Sequence, residues 1–262
     1  MARASNFLAL NDPDPKEMSV VDHLDELRHR LIVCIITVMI GSVAGWFVKG
    51  WVFELLSAPI RPYSATPKNP HGAEFVLAKV TDAFTIEIKI AVAVGILLGL
   101  PVLLYQIWMF IAPAVSVHAR RYAVPFVLIG IVLFLIGISV GYGVFPRVVG
   151  FLVAQQGGLQ QASNGTTLQF LLTLSDYIAQ LALVMLVFGA VFELPVVLTF
   201  LAMIGLTSSR WLRSKRKYAA MIGLIGAMVI TPGADPITPF VTAAVVYLLY
   251  EASILSVRLL HR

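Results

Sequence analysis

The sequence is poor in charge, since Asp, Glu, Lys and Arg make up only 13% of its 262 residues. Soluble domains carry about 25% charged residues, whereas here 59% of the residues are hydrophobic and the mean hydropathy is +0.89. Several uncharged runs approach or exceed the ~20 residues that span a bilayer. The composition therefore predicts an integral membrane protein. No basic stripe interleaved with aromatic residues indicates a nucleic-acid partner.

Cysteine is nearly absent, because Cys34 is the only one in the sequence. A single cysteine excludes an internal disulfide and a multi-cysteine metal site. The five histidines also lack the spacing of zinc ligands. A glycine-rich phosphate loop, a nucleophile–base pair and an HExxH motif are likewise missing. We therefore expect no cofactor, no metal and no enzymatic activity.

The apolar runs predict an all-α polytopic membrane protein with six transmembrane helices. A membrane domain over 18–258 is expected between a disordered tail, 1–17, and a short tail, 259–262. Leucine and valine at helical spacing predict an amphipathic surface helix over 19–30, which runs directly into the first span. The polar, proline-rich stretch after that span and the uncharged stretch 155–169 are predicted as loops. The spans are expected at 31–49, 84–111, 123–145, 177–204, 218–231 and 240–257.

The last two predicted helices are short. At ~1.5 Å per residue the fifth reaches only ~21 Å, against a hydrocarbon core of ~30 Å. The turn between them must then lie near the head groups, or the bilayer must thin there.

Basic residues predict the orientation of the chain. About two-thirds of the 19 Lys and Arg fall in segments that are internal if the N-terminus is inside, which predicts cytoplasmic N- and C-termini. Asp12, Asp14 and Glu17 precede any apolar run, unlike the residues of a cleaved signal or transit peptide. That pattern favours a bacterial or archaeal plasma membrane over an organellar one.

Glu193 is the lone carboxylate in the apolar run 181–204. A charge near the bilayer centre costs about 3 kcal/mol or more, so this group must face a protein interior or a wet cavity, or carry a proton. Pro195 removes the hydrogen bond that the Val191 carbonyl would accept, so we expect a kink beside the carboxylate. One interpretation is a protonated carboxyl bonded to a neighbouring helix. The other is a functional polar contact.

Two further segments carry candidate binding residues. Asp22 and Glu26 share a helix face, which fits either a solvated face with a Glu26–Arg30 pair or an acidic site for a cationic ligand. The stretch 106–113, followed by Arg120 and Arg121, is typical of an aromatic belt, a helix end and a positive loop on the inner side.

Together these patterns resemble the TatC family, the receptor subunit of the twin-arginine protein translocase. The resemblance covers about 18–258 and rests on several motifs in the family order. These are 23–30 (HLDELRHR), 57–59 (SAP), 105–113 (YQIWMFIAP), 188–196 (FGAVFELPV), 215–218 (KRKY) and Thr231-Pro232 followed by Asp235. It implies a helical fold with a concave face and no enzymatic activity.

The resemblance also implies function and partners. It predicts a receptor that binds the twin-arginine signal peptides of folded cargo. This receptor is expected to assemble with the single-span subunits TatA and TatB, and with other copies of itself, in the lipid bilayer. Transport is expected to be driven by the proton-motive force.

Residue roles follow from the same motifs. The implied signal-peptide surface contains Glu26, Arg28, Phe110, Pro113, Arg120 and Arg121. Many members have a glutamate where this chain has Ala119, so we expect Asp22 or Asp25 to supply the missing carboxylate.

Other matched positions lie away from that surface. Glu193 and Gln106 are the expected intramembrane polar contacts, and Glu193 is expected on a lipid-accessible concave wall that receives a partner or signal helix. Pro59 and Asp235 are expected to act in outer-face assembly.

A different class of protein is the alternative. A small proton-coupled secondary transporter could use Glu193 as its proton carrier. Against it stand the lack of a detectable inverted repeat and the short final helices.

Overall fold

A computed structural model describes residues 20–63, 74–111, 123–162, 171–230 and 237–260. Those ranges form eight α-helices, a 3-10 helix at Ala58–Tyr63 and two short strands. The strands β1 (Glu74–Val76) and β2 (Leu171–Thr173) pair in parallel, with Glu74 opposite Leu171. The helices are α1 (Val20–Ser57), α2 (Asp82–Ile111), α3 (Ala123–Ala162), α4 (Leu174–Phe192), α5 (Leu194–Met203), α6 (Ser209–Ser214), α7 (Arg216–Ile230) and α8 (Ile237–Leu260).

Five helical segments in the described ranges are long and apolar enough to cross a membrane. They are His23–Pro62, Asp82–Phe110, Val124–Phe151, Leu174–Met203 and Pro239–Leu259. The predicted polytopic helical fold is confirmed. The count of six spans stays a prediction, because α7 has only 15 residues and reaches ~22 Å.

Several predicted boundaries are wrong because the helices continue through polar residues. The expectation of a short sixth helix fails, since α8 has 24 residues. Proline is tolerated in a first helical turn, so Pro239 does not delay its start. The predicted loop at 155–169 is helical as far as Ala162, because glutamine propagates a helix nearly as well as leucine. Similarly, α1 continues past Lys49 to Ser57.

The helices α1 and α2 pack with their backbones in contact. A Cβ added to Gly41 would lie 2.8 Å from the Gly95 carbonyl oxygen, and one added to Gly45 would lie 2.7 Å from the Ala91 carbonyl oxygen. Small residues permit this close approach between membrane helices. Because α1 has no break between its first turns and its apolar part, its start is fixed relative to the end of α2.

The largest buried cluster lies where α1 ends beside the end of α3 and the starts of α2 and α4. There the Tyr177 hydroxyl donates to the Leu56 carbonyl at 2.9 Å, and the Tyr142 hydroxyl donates to the Leu55 carbonyl at 2.8 Å. Carbonyls in the last helical turn have no partner inside their own helix. The two tyrosines therefore cap α1 from neighbouring helices.

The short helix α6 was not predicted and joins α5 to α7 at the opposite end of the molecule. The Ser208 hydroxyl caps its start by accepting from the Trp211 backbone N–H at 3.2 Å. Its Leu212 carbonyl accepts from the Tyr250 hydroxyl at 2.7 Å. These bonds attach α6 to α8.

Candidate functional site

The start of α1 meets the end of α2 in a group of polar and aromatic side chains, which we call the Glu26 cluster. It consists of His23, Glu26 and Arg30 on α1 with Gln106 and Phe110 on α2. The His23 ring stacks on the Phe110 ring, with centroids 4.4 Å apart and planes 18° apart. Arg30 Nη1 donates to Gln106 Oε1 at 3.1 Å. Arg30 and Gln106 are 76 residues apart in the sequence, so residues from two separate helices form this site.

The two oxygens of the Glu26 carboxylate have different surroundings. Oε1 accepts from Arg30 Nε at 3.1 Å and also from Arg30 Nη2. Oε2 is buried and has no hydrogen-bond partner among the described residues. His23 Nδ1 lies 3.9 Å from Oε2. The carboxylate therefore holds one guanidinium and keeps a second acceptor oxygen.

Partial burial makes the Glu26–Arg30 pair more than a solvated surface contact. The side chains are 22% and 16% exposed. Charge-assisted hydrogen bonds strengthen where water is reduced. The predicted pair is confirmed, and it is partly buried rather than fully solvated.

The other predicted signal-peptide residues divide into described and undescribed ones. Asp25 and Arg28 are exposed on α1, close in sequence to Glu26. Asp22 lies in the first turn of α1, but its side chain is outside the described residues. The remaining three, Pro113, Arg120 and Arg121, also lie outside them.

Glu193 lies at the break between α4 and α5. Its backbone N–H donates to the Ala190 carbonyl at 3.2 Å, and its carbonyl accepts from Val197 at 2.9 Å. Pro195 has no N–H to continue the α4 ladder and fits the first turn of α5. The predicted kink beside the carboxylate is confirmed as an interruption of the helix.

The Glu193 carboxyl packs inside the helix bundle. The residue is 9% exposed, and neither carboxyl oxygen has a hydrogen-bond partner among the described residues. A Cβ added to Gly130 of α3 would lie 3.0 and 3.3 Å from these oxygens and 2.9 Å from Leu104 Cδ1 of α2. The carboxyl thus occupies space left by the missing side chain of Gly130. This differs from the expected lipid-accessible position.

A pocket of about 490 Å³ lies between α2, α3, α5 and α8, and its lining on α5 begins at Pro195, two residues after Glu193. Its lining includes Pro195, Thr199 and Ser256, together with Trp108 on the α2 side. The Trp108 ring lies 4.7 Å from Phe126 and 4.8 Å from Phe200, centroid to centroid. The pocket is therefore mostly apolar, and packed aromatic rings form part of its wall.

Gln106 and Pro59 are placed as follows. Gln106, which was grouped with Glu193 as an intramembrane contact, instead bonds to Arg30 in the Glu26 cluster. Pro59 is half-buried in the 3-10 helix after α1, next to buried Ile60. Asp235 lies outside the described residues. Sequence reasoning missed Tyr142 and Tyr177, whose only sequence signal is a hydroxyl inside an apolar run.

Within the described ranges, no three His, Cys, Asp or Glu side chains lie close enough together to hold a metal ion. The contacts at the Glu26 cluster are an ion pair, hydrogen bonds and a ring stack. At Glu193 the available chemistry is a hydrogen bond in an apolar setting.

This fold defines a multi-span helical membrane protein with a charged cluster at one end and a buried carboxyl in its interior. A family model described as Sec-independent protein translocase protein (TatC) matches residues 22–244. The chain therefore belongs to the TatC family. It is a membrane component of the Tat protein-translocation system and not an enzyme.

Curated relatives and solved structures agree with this family. The TatC protein of Desulforapulum autotrophicum is 34% identical over 90% of this chain and 83% of its own length. For the Aquifex aeolicus protein the identity is 35%, over 90% and 93%, and for that of Escherichia coli K12 it is 32%, over 94% and 89%. A solved structure described as "Crystal Structure of Twin Arginine Translocase Receptor- TatC" covers 92% of this chain and 100% of its own, with 36% identity and a TM-score of 0.75.

Proposed function

We propose that this chain is the receptor and core subunit of a twin-arginine translocase, and that the Glu26 cluster binds the arginines of signal peptides on folded cargo. The observation that carries the proposal is the guanidinium already held by the half-buried Glu26 carboxylate. A site that accommodates an internal arginine has the shape and charge for a signal arginine. The similar protein of known structure is described as a twin-arginine translocase receptor, which supports the same role.

The proposed recognition surface extends beyond this cluster. Arg28 and Phe110 flank it, and Pro113, Arg120 and Arg121 continue it along the chain. Asp22 or Asp25 supplies a second carboxylate in place of the one missing at Ala119, with Asp22 favoured because it is one helical turn from Glu26.

A genetic comparison tests that second carboxylate. Glu26→Ala/Asp22→Asn should bind precursor more weakly than Glu26→Ala alone, and Ala119→Glu should restore part of the loss. Equal binding by both Glu26 variants, with no rescue, would contradict the compensation.

The proposed setting is a bacterial or archaeal plasma membrane. The membrane domain over 18–258 has both termini in the cytoplasm, with 1–17 and 259–262 as tails. The Glu26 cluster then faces the cytoplasm, where folded cargo arrives. TatA, TatB and further copies of the chain assemble on it, and transport is driven by the proton-motive force.

Glu193 has a separate proposed role in this assembly. It offers a polar contact to a partner or signal helix beside the 490 Å³ pocket, after its side chain turns away from Gly130. On the outer face, Pro59 and Asp235 support assembly.

The first test compares two glutamates on α1. Glu26→Gln removes the charge from the cluster, and Glu54→Gln makes the same change at an exposed position near the other end of the helix. Loss of a charged hydrogen bond costs about 1.5–3 kcal/mol of binding, or roughly 10- to 100-fold in affinity. Crosslinking of a twin-arginine precursor in membranes with equal amounts of each variant measures this. Equal crosslinking by Glu26→Gln and Glu54→Gln would sink the assignment.

Copurification separates a receptor from a small-solute transporter. A receptor brings down twin-arginine precursors and single-span partners, whereas a transporter that uses Glu193 binds a small solute and neither of these. Family membership already favours the receptor.

A further inference from the structure

Arg30 occupies the carboxylate that the proposed function assigns to a signal arginine. Its Nε and Nη2 both donate to Glu26 Oε1. A signal guanidinium would seek the same oxygen with the same donors. Because two Arg30 donors already converge on Oε1, a signal guanidinium would have to compete with Arg30 for that oxygen.

The second oxygen of Glu26 is also covered. Oε2 is buried and has no hydrogen-bond partner among the described residues. His23 lies 3.9 Å from it and is stacked on Phe110. A ligand must therefore either compete with Arg30 for Oε1 or uncover Oε2.

Arg30 is anchored from a second helix. Gln106 of α2 accepts from its Nη1 at 3.1 Å, and the Arg30 side chain is only 16% exposed. Arg28, two residues earlier on the same helix, is exposed. The contrast marks Arg30 as a built part of the site and not as a surface charge that happens to lie nearby.

We propose that Arg30 is an internal competitor for Glu26, held in place by Gln106, and that a signal arginine binds by displacing it. The proposal rests on the proposed function, since it concerns the regulation of the same site. Exchange of one guanidinium for another leaves the charge on Glu26 compensated both before and after binding. The affinity that a signal arginine gains from Glu26 is therefore reduced by the free energy needed to displace Arg30, and it is not abolished.

Arg30→Gln provides the test, because it removes the competitor and keeps a polar side chain. We expect the purified full chain in lipid nanodiscs to bind a twin-arginine peptide about five-fold more tightly, as suits a partly buried pair. Gln106→Leu frees Arg30 from its anchor and should tighten binding by about two-fold. Both changes should have no effect when Glu26→Gln is also present, because competition acts only through that carboxylate.

Arg213→Gln is the matched control for charge. Arg213 is exposed on α6 and is the last basic residue of that helix, so its loss lowers the net charge equally without freeing Glu26. Weaker or unchanged binding by both Arg30→Gln and Gln106→Leu would overturn the competitor role. Tightening that persists in the Glu26→Gln background, or that equals the effect of Arg213→Gln, would also overturn it. Full peptide binding by Glu26→Gln alone would instead refute the proposed function.

Discussion

Glu26 and Glu193 are both largely withdrawn from solvent, but their carboxyl groups have opposite kinds of neighbours. Glu26 is paired with a guanidinium that a second helix holds in place. Glu193 lies against Gly130 and near Leu104, with no hydrogen-bond partner among the described residues. At Glu26 the charge is paired with Arg30 although Oε2 has no hydrogen-bond partner among the described residues, whereas at Glu193 neither oxygen has one and no cation pairs with the carboxyl.

This difference separates two kinds of recognition. A paired carboxylate recognises a charged ligand by exchanging one cation for another, which favours ligands with guanidinium geometry. An unsatisfied carboxyl in an apolar bundle retains a free-energy cost of about 1–3 kcal/mol until a partner donates or accepts a hydrogen bond. Glu193 also lies at a helix break, between the end of α4 and the start of α5. In the proposed function, Glu26 reads the signal and Glu193 meets an incoming helix.

The largest predicted effect is that of Glu193→Lys. A cation with no partner beside Gly130 and Leu104 should cost about 3–5 kcal/mol of folding free energy, and transport should be lost. Thermal unfolding of the purified chain and the amount inserted in membranes measure this, with Glu193→Gln as the isosteric control. Similar stability and transport for the Lys and Gln variants would contradict the buried position of the carboxyl.

The next effect is steric and concerns Gly130. Gly130→Val should force the Glu193 carboxyl and Leu104 to move and destabilise the fold by about 1–3 kcal/mol. Gly143→Val is the matched control on the same helix, since a Cβ there would meet nothing within 4 Å. Unfolding temperatures of the two variants decide the matter. A Gly130 variant as stable as the Gly143 variant would mean that Glu193 does not rest on Gly130.

Glu193→Leu should change stability and function in opposite directions. It removes an unsatisfied carboxyl, so the free energy of unfolding should rise by about 1–2 kcal/mol, while crosslinks to partner helices and transport fall. Glu193→Gln should retain much of the transport. Full transport by the Leu variant would reduce Glu193 to an internal packing group.

The smallest effect on folding belongs to Glu26→Gln. The Glu26–Arg30 pair is partly exposed, so its loss should change the free energy of unfolding by less than about 1 kcal/mol, even though peptide binding falls steeply. Denaturant unfolding of the purified chain measures the folding term. A large loss of stability would show that the pair is structural and that weaker binding by this variant reports unfolding.

Features that depend on residues close together in the sequence were predicted correctly. The Glu26–Arg30 pair follows from an i,i+4 separation, and the break at Glu193 follows from Pro195 two residues later. The bond between Arg30 and Gln106 was missed because it joins residues 76 apart, and the Tyr177–Leu56 cap joins residues 121 apart. Such pairings depend on how helices pack, which a single sequence does not encode in any local pattern.

The burial of the Glu193 side chain could not be predicted from hydrophobic periodicity either. An intramembrane glutamate indicates a functional site because a charge in the bilayer has a high free-energy cost. The side on which its side chain packs depends on Gly130, which is 63 positions earlier in the chain. Helix ends were misplaced for a different reason. Charged and glutamine-rich segments were assigned to loops, although neither lysine nor glutamine ends a helix, and α1 and α3 continue through them.

Site-specific crosslinking tests the division between the two glutamates most directly. A photoreactive residue placed at exposed Leu24, beside Glu26, or at exposed Ile129, beside Gly130, is probed with a twin-arginine precursor and with the same precursor carrying paired lysines. The account predicts crosslinks from position 24 to the arginine-containing region that are lost with the lysine precursor, and none to that region from position 129. Crosslinks to the arginines from position 129, or equal crosslinks from position 24 with arginine and lysine, would contradict it.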